Sequence, residues 1–404
     1  MKRRRDLLFG AGGVALLGQS GISTNGVGRP APTGSSRKIR LAVIGGGFGA
    51  DFSFHEHPNC TVAAVSDLRA DRRKRLMEHY RCDNMYDSLE ELLRTERRLD
   101  AVALFTPAPE HYRHVEMCMN RGLHIYCAVP ACFTLEEAEK LRALKEKTGL
   151  RYMMGETSYY RSGCIYARQL FESGGFGELF YSELAYYHDR GDLRDLLVNK
   201  KTRFYDPDGS RSWRWGLPPL QYPTHSLAFL VAVTGERITS VSALGWGNRH
   251  PYVRENRYHN PFFNESALME TNRGHMTRCN VFWLVGEGGE RAQWYGEKGS
   301  LYMANGGLHG DIWLARPGEP PVAKALKYPD YLKDPMLPEP MRHQSGHGGS
   351  QIFLSAEFIN SLIEEREPSI DVYRALAITV PGIVGHQSAM KNGERLKVPI
   401  FDRA

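Results

Sequence analysis

Residues 39–50 read Ile-Arg-Leu-Ala-Val-Ile-Gly-Gly-Gly-Phe-Gly-Ala, an apolar run that ends directly in a glycine turn. Such a run is typical of a buried parallel strand. The turn has the spacing G-x-G-x-x-A, in which Gly45 permits a tight bend, Gly47 lets a ligand approach the backbone and Ala50 allows close packing of a following helix. The N-terminus of that helix would face the phosphates of a dinucleotide. This stretch predicts a dinucleotide-binding α/β domain.

A second apolar run, residues 61–66, ends in Asp67, and the fingerprint places an acidic residue about twenty positions beyond the glycines. A carboxylate there accepts hydrogen bonds from both ribose hydroxyls and repels a 2′-phosphate. NAD is therefore the expected cofactor. The alternative is that Arg69 or Arg72 contacts a 2′-phosphate, in which case the cofactor is NADP.

Further strand-like runs end in Thr106-Pro107 and in Ala128-Val129-Pro130, and helical stretches separate them. The runs are residues 99–105 and 123–127, and the helical stretches lie around 87–97, 110–121 and 134–147. Strand ends at one edge of a parallel sheet are where such folds bind ligands. We expect residues 38–155 to form a doubly wound parallel sheet of the Rossmann type.

The remainder of the chain, residues 156–404, is predicted to be an α/β domain with an open, largely antiparallel sheet. Its strand-like runs are residues 179–187, 238–246, 277–285, 291–295 and 299–303. One face of the sheet would pack against helices and a substrate cleft, and the other would be free for contact with a second subunit, so we expect a homo-oligomer. Residues 316–345 are predicted to be a long loop. A late helix near 371–391, capped by Asp371, should pack back near the cleft.

Charge and cysteine content exclude several classes of protein. The 404 residues hold 52 Lys+Arg and 46 Asp+Glu, but residues 1–40 carry all of the basic excess, which leaves 44 basic against 45 acidic residues in the rest. A nearly neutral body is not expected of a nucleic-acid-binding protein. The seven cysteines contain no CxxC pair, so neither a metal site nor a disulfide framework is indicated.

The first residues have the features of an export signal. Residues 1–18 place three arginines before an apolar stretch of about ten residues, which is too short for a stable membrane anchor. This pattern is typical of twin-arginine export, and residues 19–37 are predicted to be a flexible linker. We expect a leader and linker over 1–37 and a periplasmic protein. The alternative is a disordered basic tail on a cytoplasmic protein.

The motifs around the strand ends resemble the Gfo/Idh/MocA oxidoreductase family. They are the glycine turn, Thr106-Pro107 with His111, and Gly122-Leu123-His124 leading to Pro130. The resemblance implies that the cofactor contacts Phe48, Thr106, Pro107, His111, Ala128, Val129 and Tyr159, together with the glycines and Asp67. Most dehydrogenases of that family have Glu-Lys-Pro where this sequence has Ala128-Val129-Pro130. The lysine that helps to deprotonate the substrate hydroxyl is therefore missing.

One branch of that family also lacks the lysine, namely the NAD-dependent α-N-acetylgalactosaminidases of glycoside hydrolase family 109. The segments that look like this branch include Tyr186-Tyr187-His188, Trp213-Arg214, Tyr222-Pro223-Thr224-His225 and His347-Gly348-Gly349. The resemblance implies a redox-neutral glycosidase: oxidation at C3, deprotonation at C2, elimination, water addition and reduction. Such a cycle restores NAD, which suits an exported protein.

This chemistry needs a base with a near-neutral pKa and a hydroxyl or imidazole for the C3 oxygen. Tyr222 and His225 are three residues apart, and Pro223 fits the first turn of a helix, so both side chains can share one face. His188 is a second imidazole at a strand end. We expect these three residues to be catalytic, and we expect the sugar to contact Tyr160, Tyr186, Arg214, Thr224 and His347.

Two other functions remain open. One is an ordinary sugar or cyclitol oxidoreductase with tightly bound NAD or NADP, to which the missing lysine is the main objection. The other is a non-catalytic sensor of sugars or dinucleotides. In each case the partner is a small sugar or glycoside.

Overall fold

The computed structural model describes residues 35–188, 198–247, 255–286, 288–303, 311–324 and 328–403. The predicted leader therefore lies almost wholly outside the described residues. Within them the chain forms two sheets whose helices share one continuous hydrophobic core. Among these residues, the helices are all too short or too polar to cross a membrane.

The first sheet contains six described strands, all parallel, in the order β3-β2-β1-β4-β5-β6. The strands are β1 Ile39–Ile44, β2 Cys60–Ser66, β3 Met85–Tyr86, β4 Ala101–Leu104, β5 His124–Cys127 and β6 Tyr152–Met154. Its helices are α1 Ala70–Tyr80, α2 Leu89–Thr95, α3 His111–Met119 and α4 Leu135–Thr148. This strand order is that of a doubly wound dinucleotide-binding sheet and confirms the predicted fold class.

The predicted helix after the glycine turn is wrong. Two short 3₁₀ turns, Gly49–Asp51 and Phe54–Glu56, occupy its place, and the backbone is extended at Phe52 between them. The rings of Phe52 and Phe54 are both buried and stack 5.8 Å apart, against Phe105 and other aromatic rings. Burying two side chains only two residues apart requires the extended step, which ends the helix.

The second sheet contains nine described strands in the order β14-β13-β12-β11-β7-β10-β9-β8-β15. The strands are β7 Leu179–Tyr187, β8 Ile238–Trp246, β9 Asn264–Thr271, β10 Met276–Phe282, β11 Gly289–Gly296, β12 Ser300–Tyr302, β13 Ile312–Ala315, β14 Val322–Lys324 and β15 Leu396–Lys397. Strands β7 and β10 pair in parallel and the other neighbours pair antiparallel. The sheet is therefore open and largely antiparallel, as predicted.

The described helices after β6 are α5 Ser162–Glu172, α6 Thr224–Thr234, α7 Tyr328–Tyr331, α8 Ser350–Ile363 and α9 Val372–Met390. Helices α6 and α9 pack on one face of this sheet, whereas α8 packs on β1 of the first sheet. Every residue of α6 is buried, so this helix lies inside the molecule. The predicted long loop over 316–345 is wrong in part, because β14, α7 and a 3₁₀ turn at Glu339–Met341 fall within it.

The late helix α9 packs against the 3₁₀ turn Pro219–Gln221. The side chain of Asp371 caps it by accepting a hydrogen bond from the amide of Arg374 at 2.9 Å. A Cβ on Gly382 would lie only 2.0 Å from the carbonyl oxygen of Leu220, so only glycine allows this close approach. The contact fixes the backbone turn that immediately precedes Tyr222.

Candidate active site

A cavity of about 630 Å³ lies where the carboxyl ends of the first sheet meet the second sheet. From the first half of the chain it is lined by Gly47, Phe48, Thr106, Pro107, Ala128 and Val129. From the second half it is lined by Tyr186, His188, Arg214, Tyr222, His225 and His347, among others. The structure thus brings most of the predicted cofactor and sugar residues to one place.

The glycine turn has the shape of a cradle for a ligand. Gly45 has φ +99°, and a Cβ there would lie 2.4 Å from the carbonyl oxygen of Phe105. Gly47 faces the cavity, and its Cβ would meet only the flexible guanidinium of Arg72, at 3.5 Å. Gly45 is therefore required by the fold, whereas Gly47 leaves open backbone beside the cavity, as dinucleotide binding needs.

Asp67 ties the end of β2 to the glycine turn. Its carboxylate accepts hydrogen bonds from the backbone amides of Gly46, at 2.7 Å, and Arg69, at 2.8 Å. Arg69 itself forms a two-point ion pair with Asp71. The ribose contact of Asp67 stays a prediction, but its place at the end of the second strand is the one that the fingerprint requires.

His111 supports the cofactor loops rather than lining the cavity. Its buried ring lies between the carbonyl oxygens of Pro130, 2.8 Å from Nδ1, and Thr106, 3.0 Å from Nε2. Burial lowers the pKa of His111, so the ring is neutral and donates from one nitrogen at a time. The side chain joins the loop after β4 to the loop after β5. The predicted direct contact between His111 and the cofactor is therefore wrong.

His225 is held by a carboxylate. Its Nδ1 lies 2.8 Å from Oε1 of the buried Glu156. Burial alone would lower the pKa of His225, but the charge and hydrogen bond of Glu156 outweigh it, so the pKa is raised above 6.5. The ring of Tyr222 lies 5.7 Å from that of His225, centroid to centroid. The two side chains therefore lie beside each other in the cavity wall. They do not share one helix face as predicted, because Tyr222 precedes α6 and its backbone, with φ −126° and ψ 53°, is not helical.

Tyr222 is suited to donate a hydrogen bond. Burial raises the pKa of its hydroxyl, and the nearby guanidinium of Arg214 offsets that only in part. Arg214 lies over the ring of Trp213, 4.1 Å from its centroid. At neutral pH the phenol therefore stays protonated beside a positive charge.

His188 is engaged by a neighbouring guanidinium. Nη2 of Arg203 lies 2.9 Å from Nε2 of His188. Because an arginine can only donate, Nε2 must be the unprotonated nitrogen of the ring. His188 is therefore less available as a base in this arrangement than His225.

An aromatic wall completes the sugar end of the cavity. The ring of Tyr186 lies 4.6 Å from His225 and 5.9 Å from Trp283. Trp283 was not among the predicted site residues, although it lies directly after β10, which pairs with β7 beside Tyr187. Its indole N–H donates to the carbonyl oxygen of Leu217 at 2.8 Å, which fixes the ring in the cavity wall.

His347 joins the two halves of the site. It sits in a tight turn with φ +53°, and its ring packs edge-on against that of Phe48 at 5.1 Å. Burial, with the positive charges of Arg161 and His225, lowers the pKa of His347 to about 4. The ring is therefore neutral at physiological pH, which suits a hydrogen-bonding role.

Three predicted site residues lie in the core, in addition to Gly45, Ala50, Asp67 and His111, which also do not line the cavity. Tyr160 is only 2% exposed and stacks on Phe353, with 5.6 Å between ring centroids. Tyr159 lies under the guanidinium of Arg168, which is 4.3 Å from the ring centroid, and Thr224 is fully buried at the start of α6. Their buried surroundings place them in the core, which corrects their predicted contact with cofactor or sugar.

Beside His225 and Glu156 lies a buried charged cluster that was not predicted from the sequence. It contains Ser158, Arg161 and Glu290, all buried. The signal was present in the alternation along β11, where Glu290 shares the inward face with Ala292 and Trp294. A carboxylate at an inward position of a strand indicates a buried partner.

Two family models match separate parts of this chain. Residues 39–156 match the family model described as "Oxidoreductase family, NAD-binding Rossmann fold", and residues 324–404 match "Glycosyl hydrolase 109, C-terminal domain". The first sheet therefore belongs to an NAD-binding domain. A glycosyl hydrolase family 109 protein of Streptomyces coelicolor is 24% identical over 92% of this chain and 85% of its own length.

Two further similarities concern dehydrogenases. The D-glucoside 3-dehydrogenase of Escherichia coli is 30% identical over 120 residues, which are 28% of this chain and 34% of that protein. The solved structure of levoglucosan dehydrogenase with NADH and levoglucosan superposes with a TM-score of 0.73 at 16% identity, covering 90% of this chain and all of that one. At that identity the structural match shows a shared fold.

Proposed function

We propose that this chain, which combines the NAD-binding domain of the Gfo/Idh/MocA oxidoreductase family with the C-terminal domain of glycosyl hydrolase family 109, is an NAD-dependent glycosidase with no net oxidation. One observation carries the proposal. Val129 lines the cavity where most dehydrogenases of the family have a lysine, whereas an imidazole held by a buried carboxylate, His225 with Glu156, faces the same cavity.

The overall reaction balances without an external oxidant. When NAD is bound it accepts a hydride from C3 of the sugar and later returns it. The C3 hydroxyl gives up its proton and becomes a ketone, which acidifies the proton on C2. Loss of that proton breaks the bond from C1 to the leaving group, which takes up a proton. Water then adds at C1, C2 regains a proton, and C3 is reduced again.

His225 is the proposed proton acceptor. Its Nδ1 is committed to Glu156, so Nε2 is the nitrogen that can reach substrate. The raised pKa makes the neutral ring a stronger base than free histidine. We assign both proton removals to His225, first at the C3 hydroxyl and then at C2, with the first proton passing to solvent between the two steps.

Tyr222 is the proposed hydrogen-bond donor to the C3 oxygen. Its protonated phenol, with Arg214 beside it, is suited to stabilise negative charge on that oxygen while C2 is deprotonated. Tyr186 and Trp283 provide flat aromatic surfaces for the sugar ring. The loops that carry Gly47, Thr106 and Val129 are placed to hold the cofactor.

The test is incubation of the NAD-loaded protein in deuterated water with chromogenic α- and β-glycosides. Release of aglycone, deuterium at C2 of the product sugar and no net NADH are the expected results. NADH formed in step with substrate, with the glycosidic bond intact, would overturn the proposal. Sugars left unchanged across a broad panel would instead point to a sensor.

A net sugar oxidoreductase is the second candidate. The similarity to D-glucoside 3-dehydrogenase favours it, because oxidation at C3 is the first step of both reactions. The two candidates differ only in the fate of the ketone once it has formed. Deuterium at C2 together with a broken C1 bond separates them in the same experiment.

We further propose that two copies of the chain associate through the outer face of the nine-stranded sheet. Five large apolar side chains on the strands of this face are about half exposed or more: Leu244, Trp246, Leu268, Met276 and Trp313. Their exposed fractions run from 47% to 63%. Apolar groups spread over one sheet face are typical of a subunit interface.

Export of the folded protein through the twin-arginine pathway is likewise a proposal, which rests on residues 1–18. A cycle that restores NAD can run outside the cytoplasm without a pool of free cofactor. Cell fractionation tests this, with Arg4→Lys and Arg5→Lys together as the variant that should keep the protein in the cytoplasm.

A further inference from the structure

A single serine joins two buried carboxylates beside the cavity. The backbone amide of Ser158 donates to Oε1 of Glu156 at 2.8 Å, and its hydroxyl donates to Oε2 of Glu290 at 2.6 Å. Glu156 also holds His225. The two glutamates are therefore parts of one hydrogen-bonded cluster that ends at the imidazole.

Glu290 is neutralised by a fixed cation. Arg161 donates from Nε to Oε2 of Glu290 at 3.0 Å and from Nη2 to Oε1 at 2.7 Å. The side chains are 3% and 6% exposed. The third nitrogen of Arg161, Nη1, is buried and has no hydrogen-bond partner among the residues that the structure describes. It lies under the His347 turn, 2.5 Å from the position that a Cβ on Gly348 would take.

A buried ion pair of this kind is not explained by stability. Removing two charges from water costs about as much as their attraction returns, and replacing such a pair by apolar residues is often neutral or stabilising. The position of the pair next to His225 offers a better explanation for its presence. Glu290 and Arg161 both act electrostatically on His225, in opposite directions.

We propose that Glu290 and Arg161 are positioning residues that together set the proton affinity of His225. Neither is offered as a contact of the substrate. The inference depends on the proposed function only in its last step, in which the proton affinity of His225 determines its activity as a base. The charged, titratable or hydrogen-bonding groups that face His225 or surround its cluster are Glu156, Ser158, Arg161, Glu290, Tyr186, Tyr222 and His347, with Arg214 behind Tyr222.

Loss of Glu290 and loss of Arg161 should shift the pKa of His225 in opposite directions. Glu290→Gln leaves Arg161 uncompensated, so the pKa of His225 should fall. Arg161→Gln leaves Glu290 uncompensated, so the pKa of His225 should rise. For charges at such distances a shift of about one pH unit or more is expected. The double variant removes both charges. Because Glu290 acts on His225 more strongly than Arg161, the pKa of His225 should then lie between those of the two single variants and below that of the unmodified protein.

The measurement is a titration of the histidine ring signals by NMR in protein labelled at histidine. The chain has 15 histidines, so the signal of His225 is assigned as the one that is lost in His225→Asn. The matched control is Glu357→Gln, which breaks another two-point pair whose carboxylate is buried, with the partly exposed Arg366 at 2.7 and 2.8 Å. This pair does not line the cavity, so the His225 titration should not move.

Shifts of the same sign in both single variants, or none in either, would overturn the inference. If Arg161→Gln does not fold, Arg161→Lys keeps the charge but not the two-point contact, and Glu290→Gln still tests the downward shift. The titration needs no substrate. Opposite shifts in a protein without glycosidase activity would therefore refute the proposed function and leave this inference standing.

Discussion

Nδ1 of His225 lies 2.8 Å from Oε1 of Glu156, and the carboxylate is wholly buried. The contact fixes the orientation of the imidazole and leaves Nε2 without a hydrogen-bond partner among the described residues. A buried carboxylate behind an imidazole both orients the ring and stabilises its protonated form. The pair has the two properties that a general base needs, a fixed direction and a suitable pKa.

Replacement of His225 should remove the base and keep the fold. His225→Asn is expected to lower kcat about 10²-fold to 10⁴-fold, the usual contribution of a general base. The binding of NAD should change little, because His225 does not belong to the glycine turn. Steady-state kinetics and a fluorescence titration with NADH check the two parts. Full activity of this variant would contradict the assignment of His225.

The dependence of kcat/KM on pH should reflect the contact between His225 and Glu156. Since the pKa of His225 is raised above 6.5, the neutral base is lost as pH falls through that raised value, so the acidic limb of kcat/KM should lie above pH 6.5. In Glu156→Gln the carboxylate charge is gone and burial dominates. The acidic limb should then move to lower pH while the maximal rate falls. An unmoved limb would mean that another group controls the profile.

Two adjacent glycines should respond differently to alanine. A Cβ on Gly46 would lie 2.3 Å from the carbonyl oxygen of Arg72, so Gly46→Ala forces the backbone apart. We expect a loss of roughly 1–3 kcal/mol in the free energy of unfolding, which is typical of overpacking. A Cβ on Gly47 meets only a flexible side chain at 3.5 Å.

Gly47→Ala should therefore fold normally and bind NAD more weakly, because the added methyl group points into the cavity that Gly47 lines. Thermal unfolding and calorimetric titration with NAD separate the two effects. Equal loss of stability in both variants would show that the open space beside Gly47 is part of the core, not part of the cofactor site.

The sequence predicted those parts of the fold that depend on local pattern. The apolar strands of the first sheet, the glycine turn and the cap of α9 at Asp371 follow from period, spacing and residue type. The helix after the glycine turn was mispredicted because the burial of Phe52 and Phe54 depends on Phe105 and Tyr126, which come from other strands. Strand β9 was missed because its outward face carries Leu268, which weakens the alternation.

The residues of the candidate site were likewise predicted only where local sequence marks them. Tyr222 and His225 were found because they are close in sequence, although Tyr222 precedes α6 and only His225 lies on the helix. Glu290 and Arg161 were missed because they meet across 129 residues of sequence, and the alternation along β11 that places Glu290 inward does not identify its partner. Tyr160 was assigned to the sugar, but its ring packs in the core, and the local sequence does not distinguish an aromatic residue that faces a cavity from one in the core.

The proposed interface on the nine-stranded sheet makes a prediction about assembly. Leu268 is 60% exposed on the central part of the outer face, where it pairs in register with Ser242 and Arg278. Leu268→Lys should place a charge inside the interface and shift the protein to monomers in sedimentation velocity. Ile400→Lys, at a position 46% exposed near the end of the chain, is the matched control and should leave the assembly intact. If the unmodified protein sediments as a monomer, or if both variants behave alike, the outer face is not a subunit interface.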